Sequence, residues 1–322
     1  VSKVVLVGLV VLVTLISVPL FGGDARSAYD DSQLIAFTRP DGIYVIRVDG
    51  RGERPLRRGS VAAGAVGLAW SPDGRKLAFS NWSSGLWVMN ADGSGLMRLV
   101  SPAKISAKGL GEPSWSPLGR RIAFTALRGK GRWDIWVVNA DGTSAHRLLR
   151  APRPGLYQVD WSPFGNRFAL TELGWFLRVY VMKTNGTHLR AINPGSMYEA
   201  AMPHWSPQGY KIAFMGWPAG PSMSDAESLM QEAEVWVLDV NQDHAQRLTH
   251  NTVIDSNPAW SPDGSRIVFL RGHELRTLFV GAPEKSSRGE IYVMNADGTG
   301  VTRLTHNGVG EGSPAWQPVS MP

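Results

Sequence analysis

Asp160 and His204 each stand immediately before a Trp-Ser-Pro triplet, at Trp161 and Trp205. A carboxylate and an imidazole facing one pore could share an ion or a polar ligand; packed or hydrated pore residues are the simpler reading. A second group of reactive side chains lies in two long segments that interrupt an otherwise regular spacing. Met215 to Glu234 holds Trp217, Asp225, Glu227 and Glu232, and its stretch Ser224 to Ala233 reads as a short acidic helix, with Ser224 as cap and Glu227 in the capping-box position. Leu270 to Glu290 holds Arg271, His273, Glu274 and Arg276. These ten residues are the candidate ligand-binding set. Pairing of the acidic insert with its basic neighbour is the competing reading.

Other chemistries find less support. A chain with zero Cys has no disulfide, no thiol catalysis, no Cys-ligated zinc and no acylated cysteine anchor. Of the seven His, His250 and His306 recur at equivalent places in Leu248 to Asn251 and Leu304 to Asn307, which marks them as structural. Asn-Ala-Asp-Gly at Asn90, Asn139 and Asn295 looks like a fragment of a calcium loop but lacks the first acidic ligand and the closing Glu, so turn formation explains it. A Ser-His-Asp hydrolase needs an α/β domain and a G-x-S-x-G elbow, and the sequence holds neither. No catalytic residue, metal or cofactor is expected.

The elements that must position these residues repeat. Trp-Ser-Pro occurs at Trp70, Trp115, Trp161, Trp205 and Trp260, with a degenerate copy at Trp316, at spacings of 45, 46, 44, 55 and 56. Each complete copy runs into a Pro-x-Gly turn, since Pro presets the first turn position and Gly accepts positive φ. Seven residues after each Trp comes a short apolar strand, such as Leu77 to Phe79 or Ile212 to Phe214. A third strand follows, as in Ile135 to Val138, and its Asn-Ala-Asp-Gly end is a hairpin signal. A weaker fourth strand carries Arg98-Leu99, Arg147-Leu148, Arg247-Leu248 and Arg303-Leu304.

Strands such as Ile135 to Val138 are apolar on both faces, so one unit must be sandwiched between others. Six units of four antiparallel strands imply an all-β, six-bladed β-propeller. Ile35 to Phe37 and Ile43 to Ile46 begin a unit that lacks its Trp strand, and Pro314 to Trp316 is a Trp strand with no unit after it. Pairing them closes the ring and removes two open edges. Nine of the 13 Trp fall at template positions, which makes them core rather than sugar- or base-stacking groups.

The formal charge of +6 follows from the same template, which spreads ten basic residues around the ring as a rim rather than a groove; no nucleic-acid partner is expected. Lys3 precedes the uncharged run Val4 to Phe21 and the small residues Gly22, Gly23 and Ala25, so residues 1–25 read as a secretory signal or an uncleaved anchor, the run being near the ~18 to 20 residues that span a bilayer. Residues 26–34 form a linker, 35–318 the propeller and 319–322 a tail.

The motif Trp260 to Gly264, with Ile267 to Phe269, Ile291 to Gly298 and Arg303-Leu304-Thr305, resembles the TolB-like propeller repeats, relatives of WD-type repeats. The likeness spans roughly Leu34 to Pro318. It implies the fold strongly and function weakly, because one scaffold hosts many functions. The family's namesake carries an α/β domain ahead of its propeller, whereas only a few residues here separate the apolar run from the first strand. The expected role is an extracytoplasmic, non-catalytic scaffold that binds an envelope protein or polysaccharide through long loops on one face, including Ser101 to Glu112. The alternative is a polysaccharide lyase or hydrolase acting at the channel mouth.

Overall fold

The computed structural model describes residues 33–129, 131–150, 155–173, 177–192, 197–218, 233–242, 244–272 and 289–318, all within one compact unit, Asp31–Pro322. The first blade holds β1 (Leu34–Arg39), β2 (Gly42–Arg47) and β3 (Arg54–Arg58). The second is β4 (Ala65–Trp70), β5 (Lys76–Asn81), β6 (Gly85–Asn90) and β7 (Met97–Val100); the third is β8 (Gly109–Trp115), β9 (Arg121–Gly129), β10 (Arg132–Asn139) and β11 (His146–Leu149). The fourth is β12 (Gly155–Trp161), β13 (Arg167–Leu173), β14 (Leu177–Lys183) and β15 (Arg190–Ala191); the fifth is β16 (Met197–Trp205), β17 (Lys211–Pro218), β18 (Glu234–Asp239) and β19 (His244–Arg247). The sixth is β20 (Ile254–Trp260), β21 (Arg266–Gly272), β22 (Glu290–Asn295) and β23 (Thr302–Arg303), and β24 (Gly312–Trp316) returns to the first. A single 3-10 turn, Ala103–Ile105, breaks the all-β pattern among the described residues. No helix among them is long and apolar enough to cross a membrane.

The sheets form six four-stranded antiparallel blades, and β24 lies beside β1 with Ile35 opposite Trp316 and Ala36 opposite Ala315. The predicted closure is therefore made. β3 escaped the sequence reading: Leu56 is its one buried side chain, with Arg and Pro around it.

Period-two alternation decides how blades stack. In β5, Leu77 and Phe79 pack with Trp70 against Ala36, Ile43 and Val45 of the first blade, while Ala78 packs the other way, against Trp115 and Ile122 of the third. The third-to-fourth, fourth-to-fifth and fifth-to-sixth interfaces repeat this, large side chains of one sheet meeting Ala and Val of the one before. Each core therefore belongs to two sheets, and a blade alone would leave both faces wet.

Buried ion pairs tie the rims. Arg39 donates to Glu311 at 2.6 and 3.1 Å, joining β1 to the segment that leads into β24. Arg271 makes the matching contact in the sixth blade, with both donors 2.7 Å from Asp255. Each guanidinium also lies over an aromatic ring, Arg39 4.5 Å from Tyr44 and Arg271 4.9 Å from Tyr292.

Candidate functional site

The Trp strands β4, β8, β12, β16, β20 and β24 line a central cavity of ≈ 450 Å³. Three levels of side chain surround it. At one end stand the prolines that follow each Trp by two: Pro72, Pro117, Pro163, Pro207, Pro262 and Pro318. They belong to the face of the short Pro-x-Gly and Asp-Gly turns.

The middle level is the residue before each Trp, and it joins blade to blade in two ways. Where that residue is polar, its side chain accepts the backbone N–H of the next blade's Trp: Trp161 N to Ser114 Oγ at 2.9 Å, Trp205 N to Asp160 Oδ2 at 2.7 Å, and Trp260 N to His204 Nδ1 at 3.4 Å. Where it is Ala, the next indole donates to the Ala carbonyl instead: Trp115 to Ala69 at 3.0 Å, Trp316 to Ala259 at 3.1 Å and Trp70 to Ala315 at 3.2 Å. Ser114 Oγ also donates to Asp160 Oδ1 at 3.1 Å, so both Asp160 oxygens are engaged. Asp160 and His204 thus line the cavity as sequence reasoning expects, and each serves a latch between adjacent blades.

The third level, three residues before each Trp, forms a collar of Gly67, Glu112, Gln158, Met202, Asn257 and Ser313. The ladder between first and second strands shifts register here in every blade. Five of the six take left-handed φ, Gly67 at 59°, Gln158 at 52°, Met202 at 57°, Asn257 at 49° and Ser313 at 46°. A bulge of this kind re-aims a side chain that would otherwise follow the pleat. Gln158 Nε2 donates to Glu112 Oε1 at 3.3 Å, while its Oε1 accepts from Thr171 Oγ1 at 2.9 Å and Met202 N at 3.1 Å. Gly67 N donates to Ser313 Oγ at 3.0 Å across the closure. Asn257 Oδ1 is buried with no hydrogen-bond partner among the described residues.

Glu112 is the chemically distinctive member. Burial pushes its carboxyl up to about 7, the Gln158 amide pulls it back, and the Asp160 carboxylate adds to the rise. Its side chain occupies room that Gly67 leaves: a Cβ on Gly67 would stand 2.4 Å from Glu112 Cγ. The cavity lining runs from this collar to the proline ring, hence toward the short-turn face.

The structure brings together only some of the candidate residues. Trp217 is buried, 4% exposed, at the end of β17, and Arg271 is held by Asp255. Asp225, Glu227, Glu232, His273, Glu274 and Arg276, with the proposed helix at Ser224, lie outside the described residues. In the Asn-Ala-Asp-Gly turns the carboxylates serve the turn: Asp92 accepts from Ser94 N at 2.9 Å, and Asp141 and Asp297 do the same with Thr143 and Thr299. Hydrogen bonds from the Ser94, Thr143 and Thr299 hydroxyls, with these backbone bonds second, hold all three carboxyls below the usual range. His250 and His306 are exposed, while their neighbours Thr249 and Thr305 donate to the buried carboxylates Glu234 and Glu311. The collar residues Gln158, Met202, Asn257 and Ser313 were missed. Their signal is a column of the repeat where no two copies agree.

Residues 31–216 match the sequence profile of the TolB beta propeller domain. The chain belongs to the TolB β-propeller family. Within this TolB-like group, the Tol-Pal system protein TolB of Anaeromyxobacter dehalogenans is 32% identical over 163 residues, covering 44% of this chain and 36% of that protein. The chain therefore spans about a third of the length of such curated relatives. The uncharacterized peptidase YuxL of Bacillus subtilis is 22% identical over 116 residues, covering 36% of this chain and 15% of YuxL. Among solved structures, TolB from Acinetobacter baumannii superposes with a TM-score of 0.70 at 21% identity, covering 89% of this chain and 67% of that one. An oligogalacturonate lyase in complex with manganese gives 0.54 at 14%, covering 81% and 70%. Both likenesses are of fold. The TolB-like repeat continues past the matched residues, through the sixth blade to Trp316.

Proposed function

We propose that the chain is an extracytoplasmic, non-catalytic binding propeller that holds an envelope protein at its channel mouth. One observation carries this reading: Ser114, Asp160 and His204 are committed to joining the blades, the hydroxyl–carboxylate contact of Ser114 with Asp160 included, which leaves the cavity a rigid collar of donors and acceptors. Such a collar selects by shape and hydrogen bonding, and the unpartnered Asn257 Oδ1 offers an acceptor to a ligand N–H or O–H. Among the described residues no group of three His, Cys, Asp or Glu converges, and His204 is the one histidine lining the cavity, so a lyase fits less well. Kinship with the Tol-Pal system protein TolB supports an envelope setting and a protein partner. The uncharged run behind Lys3 supports export or tethering to a membrane. Asp225, Glu227 and Glu232 in one insert, and His273, Glu274 and Arg276 in the other, supply further contacts on the long-connection face, where envelope polysaccharide is the alternative ligand.

Crosslinking the tagged chain in intact cells, followed by mass spectrometry, should return one predominant envelope protein. Deleting residues 219–232 and 273–288 together should leave the circular dichroism of the ring intact and weaken that crosslink. No reproducible partner, or depolymerisation of polysaccharide by the purified chain, would overturn the reading.

A further inference from the structure

We propose that the part of the short-turn face built by the third, fourth and fifth blades docks an acidic protein segment that carries an apolar anchor side chain. This names the partner chemistry of the binding role above and rests on it.

The repeat's own turns point to this place. The middle residue of the Pro-x-Gly turn is Asp73, Leu118, Phe164, Gln208 or Asp263. The aspartates hold their own turns together. Asp73 Oδ1 accepts from Ser71 Oγ at 2.5 Å and Arg75 N at 3.1 Å, and Asp263 Oδ1 from Ser261 Oγ at 2.6 Å and Ser265 N at 2.9 Å. Leu118 and Phe164 forgo those bonds, yet their turns close with the same geometry, Gly119 N to Ser116 O and Gly165 N to Ser162 O both at 2.8 Å. Folding therefore does not call for an apolar group here, and these two are 78% and 70% exposed. Phe164 lies against Gly209 of the next blade, where a Cβ would come within 2.5 Å of its ring, and Tyr210 beside it is 43% exposed. Three successive blades thus present large apolar groups next to the cavity prolines Pro117, Pro163 and Pro207, a juxtaposition typical of recognition surfaces.

Charge selects the partner. Arg120, Arg121, Arg167 and Lys183 are exposed around this patch. Among the described residues, the carboxylates of the same blades at this face, Asp141 and Asp239, accept hydrogen bonds within their own turns, from Thr143 and Asn241. Complementarity favours acidic residues flanking an apolar one. A flat anionic bilayer fits less well, because the apolar groups border a cavity rather than a plane.

The test uses the full chain and labelled synthetic peptides read by fluorescence anisotropy. One peptide is rich in Glu and Asp around a central Phe, a second replaces the acids with Lys, and a third replaces the Phe with Ala. The first should bind at least roughly tenfold tighter than either control and weaken as salt is raised. Leu118→Asp with Phe164→Asp installs the residue that sister turns already use, so the ring keeps its fold, and it should cost roughly tenfold or more in affinity. Arg120→Glu with Arg167→Glu should do the same. Affinity unchanged by the turn variant, preference for the Lys peptide, no peptide binding at all, or tighter binding to anionic phospholipid vesicles would overturn the proposal. The cellular crosslink separates it from the broader role: a turn variant that keeps its crosslinked protein removes this surface and leaves the binding role standing, whereas a wild-type chain with no partner removes the role.

Discussion

Glu112→Gln isolates the electrostatics of the collar. The carboxyl titrates at about 7 against an ordinary 4.5, with burial as the main cause. A folded-state value above the unfolded one means that the folded chain holds this proton more tightly. The stabilisation is fully present below about pH 4.5 and is lost as pH rises through about 7. Displacement from 4.5 to about 7 corresponds to roughly 3 kcal/mol, and the contact that the carboxyl keeps with the open cavity trims the effect to about 2 kcal/mol. Glutamine preserves the size that fits over Gly67 and the oxygen that accepts from Gln158, and it removes only the charge. Urea unfolding followed by tryptophan fluorescence, with wild type and variant compared at about pH 4 and about pH 8, should show near-equal midpoints at the lower pH and a variant more stable by about 2 kcal/mol at the higher. An offset of equal size at both pH values, or a less stable variant at high pH, would refute the placement of a buried carboxyl at the collar.

Gly67→Ala should cost about 2 to 4 kcal/mol in thermal unfolding, because φ is +59° and the new Cβ would meet the Glu112 backbone, 2.6 Å from its Cα, which no rotamer change relieves. Arg39→Ala leaves the Glu311 carboxylate buried without its cation and should cost about 3 kcal/mol or more. Arg271→Ala breaks the matching pair with Asp255 at similar cost, yet only Arg39→Ala should speed amide hydrogen exchange in β24, since that strand alone depends on the closing contact.

Strand positions, the number of blades and the closure of the Ile35 to Phe37 strand with Pro314 to Trp316 were legible in the residues, because each depends on local rules: alternation of period two, turns that need Pro and Gly, and sheets apolar on both faces. The same rules hid β3, whose Arg and Pro carry no alternation to read. Asp160 and His204 could be placed beside the pore by their offset from Trp, but nothing in that offset says that Trp205 N and Trp260 N are their partners. The collar was visible only as disagreement among copies. Its inward aim comes from left-handed backbone at a register shift, which arises when two strands pair and has no residue signature when Gln, Met, Asn and Ser all adopt it. Likewise the ionisation of Glu112 depends on its burial, on an amide 46 positions later in the chain and on a carboxylate 48 positions later, groups that meet because six blades share one axis. Local pattern sets which strands form, whereas the meeting of one strand's side chain with a neighbouring blade's backbone waits for the ring to close.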